Sequence, residues 1–118
     1  MALTEIIRSY ADAHESQGTF KQKYTAVTLG SVENITAVTA KQIQIMQIVL
    51  SVDTTGTYQL RTGTDVITSF ILAANSCASL IAGDAERPLF CGNVGKNINI
   101  NTTANPTNAG CYIVWRER

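Results

Sequence analysis

Apolar side chains in the first fourteen residues recur at helical spacing. Leu3, Ile6, Ile7, Tyr10 and Ala11 fall on one face, Glu5, Arg8 and Asp12 on the other, and Thr4 stands where an N-cap would. This predicts one short amphipathic helix. Residues 14–19, with Gly18, have no periodicity and read as a linker, so residues 1–19 are expected to form a helical arm. From Phe20 onward the period changes to two. Runs rich in Thr, Val and Ile are broken by Gly, Asn and Asp at the even spacing of an all-β domain, which makes residues 20–118 the second unit.

The alternation predicts strands at 24–29, 35–38, 43–52, 57–62, 66–73, 77–82, 88–91, 97–101 and 111–116, of which about eight carry a firm pattern. In the third run the apolar phase goes Ile43, Ile45 and then Ile48, Leu50, Val52. A one-residue slip in a period of two implies a bulge at Met46-Gln47. Turns are expected at 53–56 and 62–65. Strands this short, without intervening helices, must pair antiparallel in two packed sheets. The fold class is therefore an all-β, antiparallel jelly-roll β-sandwich of about eight strands with a short N-terminal helix. An immunoglobulin-type sandwich is disfavoured, because the single tryptophan, Trp115, sits in the last strand and no cysteine pair flanks it.

Composition sharpens this picture. The chain has 118 residues, 45% of them hydrophobic, enough for one core. Charged residues make up only 15%, against roughly 25% in ordinary soluble domains. Nine basic and nine acidic residues cancel, so no field draws in nucleic acid or an anionic membrane, and neither is an expected partner. The N-terminus has an acid where a signal peptide needs a basic flank, and no export is expected. The most apolar run, 43–52, is too short to span a bilayer. Cys77, Cys91 and Cys111 are odd in number and far apart, and are expected to be buried, reduced small hydrophobes.

No catalytic, metal or cofactor site emerges. His14 is the lone histidine and lies in the linker, which excludes Ser-His-Asp and Cys-His chemistry. Asp84 and Glu86 are the one close acidic pair in the β body, but beside Arg87 they read as a solvated loop with a local ion pair. Gly92-Asn-Val-Gly95-Lys96 has the wrong glycine spacing for a phosphate loop and precedes a strand, so it reads as a β-turn. The protein is not expected to be an enzyme.

What remains is the surface. From Gln42 to Trp115 the charged residues are Asp53, Arg61, Asp65, Asp84, Glu86, Arg87 and Lys96. Outward strand positions must then be mostly uncharged, which favours association and makes free strand edges a hazard. In the last strand Cys111, Ile113 and Trp115 alternate with Tyr112 and Val114. Tyr112, Val114 and Trp115 are the candidate subunit-interface residues; the alternative is a central strand buried on both sides.

The order of Tyr24-Thr-Ala-Val-Thr, Lys41-Gln-Ile-Gln-Ile, Gly56-Thr-Tyr-Gln-Leu, Gly63-Thr-Asp-Val-Ile-Thr, Phe90-Cys-Gly-Asn-Val-Gly, Ile98-Asn-Ile-Asn and Gly110-Cys-Tyr-Ile-Val-Trp resembles the small jelly-roll capsid decoration (cement) proteins of tailed bacteriophages. The resemblance runs from about residue 20 to 116 and rests on turns and alternation. It implies a homotrimer on the capsid surface, assembled in host cytoplasm, that clamps neighbouring major capsid protein subunits and needs no cofactor. In that reading Leu3, Ile6, Ile7 and Tyr10 of the arm contact the capsid or a neighbouring trimer; packing of the helix on its own sandwich is the alternative. A glycan- or receptor-binding jelly-roll domain of a phage head or tail fibre is the competing function.

Overall fold

The computed structural model describes residues 20–118. Nine strands follow one another: β1 (Lys21–Ala26), β2 (Gly30–Ile35), β3 (Ile43–Val52), β4 (Gly56–Thr62), β5 (Asp65–Leu72), β6 (Ser76–Ile81), β7 (Phe90–Cys91), β8 (Ile98–Thr102) and β9 (Gly110–Glu117). They form two antiparallel sheets. Sheet A has the order β1-β9-β3-β6, with the short β7 also on β3; sheet B has the order β2-β8-β4-β5. Setting β7 aside, the chain passes from one four-stranded sheet to the other at every step except the β4–β5 hairpin, which is the connectivity of a jelly roll. The arm expected over residues 1–19 lies outside the described residues.

The period-two pattern builds the core directly. Ile43, Ile45, Ile48 and Leu50 from β3 and Cys111, Ile113 and Trp115 from β9 meet Tyr58 and Leu60 from β4 and Ile98 and Ile100 from β8. Each such side chain contributes about 1.5–3 kcal/mol of burial. The register of β3 against β9 shifts between Ile45 and Gln47, so Met46 is the extra residue and both halves of β3 keep their isoleucines inward. The bulge lies where the phase slip placed it. Gly63, with φ of 60°, takes the first of two loop positions between Thr62 and its partner Asp65, a hairpin geometry that favours glycine.

Two strands lie differently from the sequence expectation. β1 is Lys21–Ala26 and not 24–29, and in place of a strand at 35–38 the chain forms β2 at Gly30–Ile35, six residues of mostly polar alternation that no apolar count detects. Gly30, at φ of 94°, turns the chain and opens the strand instead of closing the previous one. Within β2 the register against β8 breaks between Glu33 and Ile35. Asn34, 2% exposed, fills the break: its side-chain Oδ1 accepts the Ile100 N–H at 2.9 Å, replacing a missing ladder bond.

Candidate association surface

The outer face of sheet A is read from register. One row across β1, β9, β3 and β6 is Tyr24, Tyr112, Val49, Ser79; the next is Gln22, Val114, Gln47, Ile81; a third is Ala26, Gly110, Ser51, Cys77. None of these twelve positions carries a charge. Four strands about 4.8 Å apart and rows about 6.7 Å apart make a field of roughly 300–400 Å². The field mixes Tyr24, Tyr112, Val49, Val114 and Ile81 with Gln22, Gln47, Ser51 and Ser79, so it is uncharged throughout and apolar in part. Tyr24 lies over Gly110, which leaves its ring room, and the Tyr112 hydroxyl donates to Gln22 Oε1 at 2.6 Å. The rings are therefore laid along the sheet.

Two loops wall the field. At one end the 82–89 segment folds over it and is held by Arg116, the charged residue of the following row. Arg116 is 0% exposed. Its Nε donates to Gln44 Oε1 at 2.7 Å, its Nη1 donates to the Ala85 carbonyl, and its guanidinium stands 5.9 Å from the Phe20 ring centre. Desolvation pulls its pKa below the ordinary guanidinium value, with the Arg118 charge acting the same way and Cys91 and Glu86 opposing. The wall and the sheet enclose a recess of ≈ 220 Å³ lined by Phe20, Gln47, Ile81, Val114 and residues 82–85.

The opposite wall is the loop before β9. Asp53 accepts the N–H of Asn108 at 2.9 Å and of Thr107 at 3.2 Å. The Asn108 N–H is the chief reason the carboxyl titrates below its ordinary value; burial opposes, and Thr54 and Thr107 add to the lowering. Between this loop, Tyr24, Ser51 and Gly110 lies a second recess of ≈ 280 Å³.

Sheet B presents the contrast. On its outer face Ser31 donates to Asn99 Oδ1 at 2.8 Å, Asn99 donates to the Gly63 carbonyl at 3.0 Å, and Asn97 donates to Glu33 Oε1 at 2.9 Å. Arg61 donates from Nε to Gln59 Oε1 at 3.0 Å. Those polar groups are satisfied within the domain, and the apolar side chains on this face, Val66 and Ile71, are confined to its β5 edge.

Of the residues singled out in the sequence, Tyr112 and Val114 stand at the centre of the sheet A face. Trp115 does not. It is 7% exposed and belongs to the core between the sheets, because β9 is a central strand and residue 115 has the inward phase of Ile113. Leu3, Ile6, Ile7 and Tyr10 lie outside the described residues. Cys77 and Cys91 are exposed, not buried as expected, since both have the outward phase of sheet A; only Cys111 is buried, and burial pushes its thiol up to about 12. The acidic turn is also different: Asp84 Oδ1 accepts the N–H groups of Glu86 and Arg87 at 2.8 and 2.9 Å, so the carboxylate shapes the turn. In 92–96, Lys96 N–H donates to the Asn93 carbonyl at 3.1 Å with Gly95 at φ of 73°, a β-turn. Among the described residues no three His, Cys, Asp or Glu side chains gather at one point. Gln22, Tyr24, Gln47 and Val49 were not singled out, because only strand register puts them beside Tyr112.

No family model matches the chain. No curated protein matches it. Among solved structures, the capsular polysaccharide assembling protein CapF from Staphylococcus aureus is similar over 83% of this chain, with 15% identity and a TM-score of 0.33. The similar region spans 24% of the CapF chain.

Proposed function

We propose that this protein is a virion structural protein, a capsid decoration (cement) protein that sits as a homotrimer on the assembled head and clamps neighbouring major capsid protein subunits. The observation that carries the reading is the walled field of twelve uncharged positions on the outer face of sheet A, set against a sheet B face that carries Glu33 and Arg61 and pairs them within the domain. The resemblance to phage cement domains supplies the partner. The work is mechanical: a protein that binds only the assembled lattice stabilises it by mass action, by about 2.7 kcal/mol at a hundredfold excess over Kd, with no covalent step. Tyr112 and Val114 are the central contacts, and the two recesses accept side chains from the shell. The trimer assembles in host cytoplasm and resides on the capsid surface.

The test is co-sedimentation of the purified full chain with purified heads that lack it. Wild type is expected to travel with heads and raise their melting temperature, while Tyr112→Lys and Val114→Lys remain folded and stay behind. Absence of head binding by the wild type, together with retention on a glycan array, would replace this reading with a glycan-binding jelly-roll domain.

A further inference from the structure

The two flanks of the sandwich are protected unequally. One flank is made by β1 and β2, the edge strands of sheets A and B on that side. It carries Lys21, Lys23 and Glu33, and Lys21 pairs with Glu117 at 3.1 Å. Charges on edge strands, lysine above all, are the usual means of refusing another chain's backbone.

The other flank is made by β5 and β6, joined across the sandwich by residues 73–75, with Asn75 in the left-handed region at φ of 58°. From Val66 to Gly83 there is no charged residue and no proline. β6 is bonded only to β3 and β5 only to β4, so each leaves one row of backbone N–H and C=O groups outward. Two large aliphatic side chains stand out along it: Ile71, 83% exposed, and Ile81, 70% exposed. No lysine or covering loop blunts the β6 edge between Ser76 and Ile81; on β5 the guards are confined to its start, the exposed Asp65 and a bulge at Ile67, which leaves Thr68 to Leu72 regular.

The geometry points to the β5–β6 flank as the contact between copies of this chain, each copy turning it toward a common threefold axis. This inference rests on the trimer proposed above. A second copy is the occupant that the charge pattern selects. From Val66 to Gly83 its own flank is equally neutral, so no like charges oppose there, and in a ring of three the β5 edge of one copy faces the β6 edge of the next, each bringing backbone donors and acceptors. The flank adjoins the sheet A face through Cys77 and Ile81. Copies joined there hold their sheet A faces around one axis and present them to one lattice site.

The experiment is sedimentation velocity and native mass measurement on the full chain as wild type, Ile71→Arg, Ser69→Arg and Tyr112→Lys, with thermal melting as the check on folding. Both arginine positions are exposed, so the fold tolerates them. Wild type is expected as a trimer, and each arginine variant is expected to raise the concentration for half-assembly by about tenfold or more through like-charge repulsion at the axis. Tyr112→Lys is expected to stay trimeric while losing head binding. Trimers that persist unchanged in both arginine variants would overturn the flank assignment and leave the cement reading standing. So would a Tyr112→Lys monomer, which would move the copy contact to the sheet A face. A wild-type trimer that ignores heads but falls apart with Ile71→Arg would remove the cement reading and keep the flank.

Discussion

Replacing Arg116 by methionine separates what the guanidinium does from the room its side chain fills. Methionine retains a long flexible stem but donates nothing. The substitution removes the bonds to Gln44 Oε1 and to the Ala85 carbonyl, and the stacking on Phe20. Hydrogen bonds from a charged donor contribute about 1.5–3 kcal/mol each, and the cation–π contact about 0.5–2. The cost of holding a charge out of water offsets part of that sum, since Arg116 is fully covered. A net loss of about 2–4 kcal/mol is expected, which in a domain of this size lowers Tm by about 10–20 °C. Thermal melting by circular dichroism reads it, with Arg61→Met as the control: Arg61 is half-buried and bonds to Gln59 on its own strand, so its loss is expected below about 1 kcal/mol. Hydrogen exchange in residues 82–89 should rise in the Arg116 variant before the rest of the protein responds. A Tm change under about 3 °C, or exchange unchanged in that loop, would refute the claim that Arg116 fastens the wall.

Three further outcomes are expected. Gly110→Ala puts a methyl group where the Tyr24 ring lies; because that ring is exposed it swings away, so stability falls by less than about 1 kcal/mol while head binding weakens, and unchanged head binding would remove Tyr24 from the contact face. Asp53 has a lowered pKa in the folded protein, so its contribution to the loop at 107–108 is fully present above the ordinary carboxylate range and is lost as pH falls through the depressed value; exchange of the Thr107 and Asn108 amides, corrected for intrinsic rate, should rise in that acid window and should be insensitive to pH there in Asp53→Asn. A thiol reagent at mildly alkaline pH should modify Cys77 and Cys91 in the native protein and Cys111 only after unfolding, since Cys111 is 0% exposed with its thiol pushed up to about 12; three fast thiols would contradict the core packing.

The residues that announce themselves in the sequence are those obeying period two in a strand bounded by turn residues. β3 and its bulge, the β4–β5 hairpin and β9 are of this kind. β2 is not, because its alternation of Ser31, Val32, Glu33 and Asn34 holds one apolar residue, and its inward anchor is an asparagine that a sequence reader places in a turn. Scarcity of charge was visible as a count, but its division between two unlike faces and two unlike flanks was not. That division depends on which strands become neighbours, and β1 beside β9 joins residues 84 to 94 positions apart. The burial of Arg116 was equally hidden. An arginine after Trp115 reads as a solvated strand end, and only the fold of residues 82–89 back across the sheet covers it.

The position of β9 has a consequence for synthesis. It lies between β1 and β3 and supplies the middle of sheet A, yet it is the last of these nine strands to leave the ribosome. Until residues 110–117 emerge, β1 has no partner in its sheet and β3 lacks one side, so sheet A is limited to β3 with β6 and β7 while sheet B has all four of its strands. The closing step is insertion of a central strand between two that have waited for it. A nascent chain stopped before residue 110 therefore lacks the Tyr112 and Val114 half of the sheet A face, and the neutral β5–β6 edge it does expose is the point at which crowded, unfinished chains would stick together.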